Sequence, residues 1–305
     1  MKRTFVTLVL MSASALLLTF TSCRKENTAP KDYTTEFNAQ IDEQMFISAE
    51  IDGITVDAIS VMEAAPFFTP GNTTVASVCN STIVVDSSGP FPVITINYDG
   101  AACSQQTARK GSVELTLKKG KWLDAKSELE VQYNNIEVKR LRDNQAIVLS
   151  GTVVITNESG GGLYGVINNP VTHSLSSTNM QVKFSDGISR PWKISVNREF
   201  SFNNGLVLTT TGSGSVGTAG NISASGITHA GRHFTTIIEE PMIIREDCYF
   251  RLTSAKLVQL QQEVLTIRFG LNAAGNPATC PGANPYYLKA DWQSNGNQHE
   301  IIMPY

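Results

Sequence analysis

After Ala65 the chain repeats one local pattern: apolar and polar residues alternate in runs of strand length, and Gly, Asn, Asp or Pro interrupts each run. STIVVDS, VITINY, SVELTLKK, SELEVQYNNIEVKRL and AIVLSGTVVITN read this way. So do MQVKFSDG, WKISVNREFSF, GLVLTTTGSGSV, NISASGI, HFTTII, FRLTSAKLVQL, VLTIRF, YYLKADW and HEIIM. A period of two places alternate side chains on opposite faces, the mark of a half-buried strand. Roughly fifteen such runs, joined by connections too short for crossovers, predict an all-β chain with antiparallel pairing.

The segment before them differs. Phe37, Ile41, Met45 and Ala49, then Ala58, Ile59 and Met62 beyond Gly53, fall near helical spacing. Glu36, Asp42, Glu43, Glu50, Asp52 and Asp57 occupy much of the remainder. This predicts an amphipathic helix over 35–63, with Gly53 as the place for a break, covering one face of a sheet and turning its acidic face to water. No Asp-x-Asp-x-Asp-Gly spacing suggests calcium.

Four cysteines lie in the β region: Cys79, Cys103, Cys248 and Cys280. Zinc sites need close pairs, and none occurs. A nucleophile needs a free thiol, against which an even count argues, so disulfides are expected. VITINY (93–98) and VLTIRF (264–269) each follow one cysteine and precede a Gly/Ala-rich turn ending in another, DGAAC and GLNAAGNPATC. The repetition suggests a duplicated unit. Its simplest connectivity is Cys79–Cys103 and Cys248–Cys280, each closing its own loop for roughly 3–4 kcal/mol. ESGGGLYG (158–165) offers a boundary between a first unit, 35–160, and a second, 166–305. The two units form separate sandwiches or one continuous twisted sheet.

The N-terminus bears on compartment. Lys2 and Arg3 precede an uncharged stretch from Phe5 to Phe20, short for a membrane span and suited to a signal-peptide core over 1–22. LTFTSC ends it in the manner of a lipobox, with Cys23 as the residue to be diacylated and palmitoylated. Phe20 stands where Leu, Val or Ile is commoner, so cleavage without a lipid is the alternative. Residues 23–34, with RKENTAPK, read as a flexible tether. Removing Lys2 and Arg3 from the 24 basic residues leaves 22 against 27 acidic. No basic stripe occurs, which excludes nucleic acid as a partner. The expected location is the cell envelope, at the outer rather than the inner membrane.

The CRKE start after the lipobox, the acidic helix, and the strands with ITINYDGAAC and LTIRFGLNAAGNPATC together resemble exported lipoproteins of Bacteroidota. That family has no assigned activity, so the resemblance supplies no catalytic residue and implies no cofactor.

Candidate chemistry is sparse. His229 and His233 lie near each other in THAGRHF, but four residues along a strand separate them by about 13 Å, too far to share a metal. His173 and His299 are isolated. Glu239 and Glu240, with Glu246 and Asp247 nearby, are the densest acidic group after the helix, yet adjacent strand residues face opposite ways. GSGSVGTAG (212–220) lacks the helix start of a phosphate cradle and reads as a hairpin turn. Trp122, Trp192 and Trp292, with Tyr286 and Tyr287, are candidates for stacking on a sugar ring, Trp292 first, although aromatic residues in sheets also serve as core. Two functions follow: a non-enzymatic envelope module binding a partner or glycan, or a hydrolase of polysaccharide or peptidoglycan with carboxylates gathered from distant strands.

Overall fold

The computed structural model describes residues 34–64, 77–86, 88, 92–102, 106–177, 179–278, 280, 284–294 and 296–305. The segment expected to be a signal peptide, Cys23, the expected tether to residue 33, and Cys103 lie outside them. One helix, α1 (Thr34–Ala64), comes first. The strands are β1 (Ser81–Asp86), β2 (Val93–Ala102), β3 (Thr107–Lys119), β4 (Ser127–Arg140), β5 (Ala146–Asn157), β6 (Val171–Ser177), β7 (Gln181–Lys183) and β8 (Ser189–Phe202). They continue with β9 (Leu206–Gly212), β10 (Gly214–Val216), β11 (Ala219–Ile227), β12 (His233–Arg245), β13 (Arg251–Leu260), β14 (Val264–Leu271), β15 (Tyr287–Ser294) and β16 (Asn297–Pro304).

All sixteen strands belong to one antiparallel sheet, so the all-β reading with an N-terminal helix holds. The order is β1-β2-β3-β4-β5-β6-β8-β11-β12-β13-β14-β15-β16, with β7, β9 and β10 filling in beside β5, β8, β11 and β12. The sheet runs through ESGGGLYG without a break. There β5 pairs with β6, Asn157 opposite His173, and Leu163–Gly165 forms one 3-10 turn between them.

The alternation works as written in both cysteine-bounded strands: Ile94, Ile96 and Tyr98 of β2 are buried, as are Leu265, Ile267 and Phe269 of β14. The turn expected after Tyr98 is instead more strand. β2 continues through Asp99 and Gly100 to Ala102, with a bulge against β3 and Gly100 at φ +91. A left-handed glycine lets the extra residue leave the ladder without ending it.

The helix departs furthest from expectation. It is unbroken at Gly53 and is not one-sided. Ile47, Ile51, Ile54 and Val61 are buried together with Phe37, Ile41, Ala58, Ile59 and Met62. Among its described side chains only Ala39, Ser48, Ala49 and Val56 are exposed. A helix apolar nearly all round must be enclosed. Side chains from distant strands touch it: Arg109 of β3 meets Glu50, Gln259 of β13 meets Gln40, and Trp292 of β15 packs edge-on against Phe37. From β3 to β15 there are nine ladder steps, about 43 Å if laid flat at 4.8 Å each, against a helix about 10–12 Å across. The sheet therefore curls around α1. Its inward residues, among them Val113, Leu115, Leu129, Val131, Val153 and Ile155, form one core with the helix.

Gly53 serves this enclosure. A Cβ there would lie 2.4 Å from Arg109 Nη2. The glycine lets the guanidinium cross close to the helix backbone, bonding Glu50 (Nε–Oε2 2.7 Å) on one side and Asp57 (Nη1–Oδ2 2.9 Å) on the other. Packing on all sides overrides the roughly 1 kcal/mol that glycine costs inside a helix. Gly53→Ala should recover that amount but displace two charged hydrogen bonds of about 1.5–3 kcal/mol each. The expected result in urea denaturation is a net loss of about 2–5 kcal/mol; a gain would show that the gap is not needed by Arg109.

Candidate functional site

The acidic side chains of α1 that are described, Asp42 to Glu63, are not a solvated face. Asp42 meets Arg140 (2.7 Å) and Arg142. Glu43 meets His229 (3.1 Å), Glu50 and Asp57 share Arg109, and Asp52 meets Arg198. Near the helix C-terminus both oxygens of Glu63 accept the Leu163 N–H, at 2.9 and 3.0 Å. Tyr98 donates its hydroxyl to Asp57 (2.9 Å). Burial raises the pKa of Glu43, Asp57 and Glu63, opposed chiefly by His229, Arg109 and the Leu163 N–H respectively. These three carboxyls, the best placed to hold a proton, are thus engaged between helix and sheet.

His173 lies in the same interior. It stands opposite Arg198 in the β6–β8 pair and is fully buried between Trp122 and Phe200, with centroids 5.2 and 5.4 Å away. Neither ring nitrogen is hydrogen-bonded to another residue. Burial, reinforced by the Arg198 charge, lowers its pKa to about 4.

The indoles singled out by sequence have no open face, which corrects the stacking expectation. Trp292 is buried between the edge of Phe37 and the ring of His299, stacked 5.4 Å away. Trp192 packs against Phe234 at 4.7 Å, and Trp122 against His173. Tyr286 is buried near Tyr305, and Tyr287 is half-buried. All three tryptophans sit where strand parity, or in Trp122 the turn before β4, points them inward.

Most of the titratable candidates are likewise engaged, while Glu240 is exposed on β12. His229 stacks on Phe184 (5.0 Å) with Nδ1 facing Glu43 and Nε2 3.6 Å from Asp186, while His233 is exposed at the start of β12. Glu239 pairs with Lys256 (2.6 Å). Glu246 accepts the Leu206 N–H (2.6 Å), and Asp247 takes both ends of Arg245 (2.8 and 2.5 Å). GSGSVGTAG is the hairpin of β10 and β11, turning at Gly217. Cys248 and Cys280 are disulfide-bonded, with Cα atoms 5.2 Å apart. Cys79 is also in a disulfide.

A different set of residues is brought together at one end of the sheet. Asn157 ends β5, Val171 begins β6, Phe202 ends β8, Leu206 begins β9, Arg245 ends β12 and Arg251 begins β13. The registers Val171–Phe200, Phe202–Leu206 and Arg245–Val207 place all these ends side by side. On the three connections between them lie Tyr164, Tyr249 and Phe250, with Phe202 at the end of β8, the exposed Phe and Tyr residues among those described, together with exposed Ile167. Tyr164 is 82% and Tyr249 74% exposed, so most of each ring meets solvent. Beside Tyr164, Ser159, Gly160, Gly161, Gly165, Asn168 and Asn169 help to line an open recess of about 460 Å³. Tyr249 and Phe250 follow the disulfide directly, both in the left-handed region at φ +61 and +53.

This rim is at the C-terminal end of α1, because Glu63 bonds Leu163. The helix starts at the opposite end, where Gln40 meets Gln259 and Phe37 meets Trp292. No protein-family model, curated protein or solved structure matches the chain. The rim was missed in the sequence, although aromatics inside turn segments, as in GGGLYG, FNNG and EDCYFR, break the alternation that places aromatics in cores.

His173 yields a pH signature. A neutral buried imidazole contributes stability that is complete above its ordinary pKa near 6.5 and is lost as pH falls toward about 4. The loss amounts to ~3 kcal/mol. His173→Phe, which keeps a ring between Trp122 and Phe200, should flatten the stability curve over that interval by about one proton in urea titrations. An unchanged slope would show that another group dominates.

Proposed function

We propose that the chain is a lipid-anchored envelope protein, acylated at Cys23 and held at the outer membrane, that works as a non-enzymatic binding module. Its contact surface is the aromatic rim, and the partner is an envelope protein or a glycan. The observation that carries this reading is the gathering of the exposed Phe and Tyr side chains at three adjacent connections. Solvent-facing aromatic rings are costly to leave wet and supply much of the energy of recognition sites.

The polarity of the molecule supports it. Cys23 precedes in sequence the start of a 31-residue helix, about 46 Å long, whose far end carries the rim. Binding is favoured over hydrolysis because the carboxyls with raised pKa, Glu43, Asp57 and Glu63, are bonded between the helix and its surroundings and do not line the recess beside Tyr164.

Two measurements test the reading. Cys23→Ser should remove the lipid attachment, so that metabolic labelling with a palmitate analogue is lost; retained label would refute the anchor. A photocrosslinking residue at Tyr164 or Tyr249 should capture a specific species in intact cells. The same residue at Ile188, exposed at the other end of the sheet, should not. Equal capture at both ends would remove the rim from the proposal.

A further inference from the structure

We propose that the rim binds a neutral polysaccharide, with Tyr164, Tyr249 and Phe250 as ring platforms and the recess beside Tyr164 as the polar subsite. This rests on the binding-module reading and names its ligand class.

The recess supplies the chemistry that hydroxyl-rich rings require. Asn168 and Asn169 offer amide groups that both donate and accept, beside a Ser159 hydroxyl that accepts the Thr172 N–H (2.9 Å) and donates to the Gly160 carbonyl (3.0 Å). No charged side chain lines it. Near the rim Arg245 is paired with Asp247 and Lys126 with Glu158, Glu246 accepts the Leu206 N–H, and Arg251 donates to the Asn284 carbonyl (2.6 Å). With no charged side chain in the recess, the surface favours a neutral ligand over phosphate or carboxylate. A pyranose ring presents C–H groups to the negative face of an aromatic ring and hydroxyls at its edge, the two chemistries found here side by side.

Spacing favours a chain over a single sugar. Tyr164 lies between β5 and β6, and Tyr249 between β12 and β13. β8 and β9 intervene at this end of the sheet. Three ladder steps separate β6 from β12, so the two connections are spaced by about 14 Å along the sheet, a distance that several linked rings cover. The second platform is held at some expense. Tyr249 and Phe250 are consecutive left-handed residues with full side chains, a conformation costing roughly 1–2 kcal/mol per residue. The Cys248–Cys280 disulfide and the Tyr249 N–H to Glu246 carbonyl bond (2.9 Å) keep them there. The result is that both rings stand out into solvent.

The test is affinity electrophoresis of the full mature chain, in detergent micelles, through native gels containing a glucan, a mannan, a xylan or a galactan. The expected result is retardation by at least one of them. Tyr164→Ala and Phe250→Gly should each weaken it about tenfold. Phe250→Gly relieves the left-handed strain, so its melting temperature should hold or rise, and lost binding cannot be put down to unfolding. No retardation in any gel, or equal retardation of wild type and both variants, overturns the proposal. Failure in the gels with persistent protein crosslinks from Tyr164 in cells would refute the glycan and leave the binding module. Failure of both would refute the binding module as well.

Discussion

A helix enclosed on nearly every side has to bring its charges inside with it, and the fold is organised around that constraint. Arg109, Arg140 and Arg198 reach in from β3, β4 and β8 to carboxylates along α1. Buried pairs of this kind add little net stability, since desolvation offsets the attraction, but removing one partner is expensive. Their effect is positional. Arg109 bonds Glu50 and Asp57, one turn either side of Gly53, so the helix cannot slide or rotate along the sheet without breaking both contacts. The apolar core of Ile, Val and Leu would tolerate such a slip; the ion pairs would not.

Enclosure also decides where function can reside. Curled sheets commonly hold ligands in their interior, but here the interior is filled by Ile47, Ile51, Ile54, Ile59 and Met62 packed against the strands. What the scaffold leaves free is the set of connections at its ends. The aromatic rim occupies one such end, on short loops fixed by strand registers, by the disulfide and by the bond from Leu163 to the helix. Recognition on rigidly seated loops is the usual division of labour between scaffold and site.

Much of the fold was legible. Period-two alternation identified the strands and the antiparallel class, because each strand has one face on the core. The Cys248–Cys280 bond followed from the repeated arrangement of cysteine, strand, turn and cysteine. The helix was misread because its apolar residues were sought on one stripe, whereas Phe46 and Val61 are buried on the side away from it. A signal existed in the strands. Val196, Arg198 and Phe200 share one parity, as do Val171, His173 and Leu175, so a charged and a titratable residue sat at inward positions. Inward arginines imply buried carboxylates, and α1 is the acidic segment. The indoles misled for the opposite reason, since turn proximity in KADWQSNGN suggested exposure, while parity with Leu288 and Ala290 placed Trp292 inside.

The contact between Phe37 and Trp292 joins the two ends of the described chain. Synthesis runs from N to C, so α1 exists long before the strands that finish its enclosure. The antiparallel ladder is assembled from neighbours and grows locally, but the helix stays partly bare until β13 to β15 arrive. A ribosome stalled late in the message would therefore release a product with most of its sheet and an uncovered apolar rod. The fold makes the completeness of its own translation visible, as sticky surface, to whatever surveys newly made proteins.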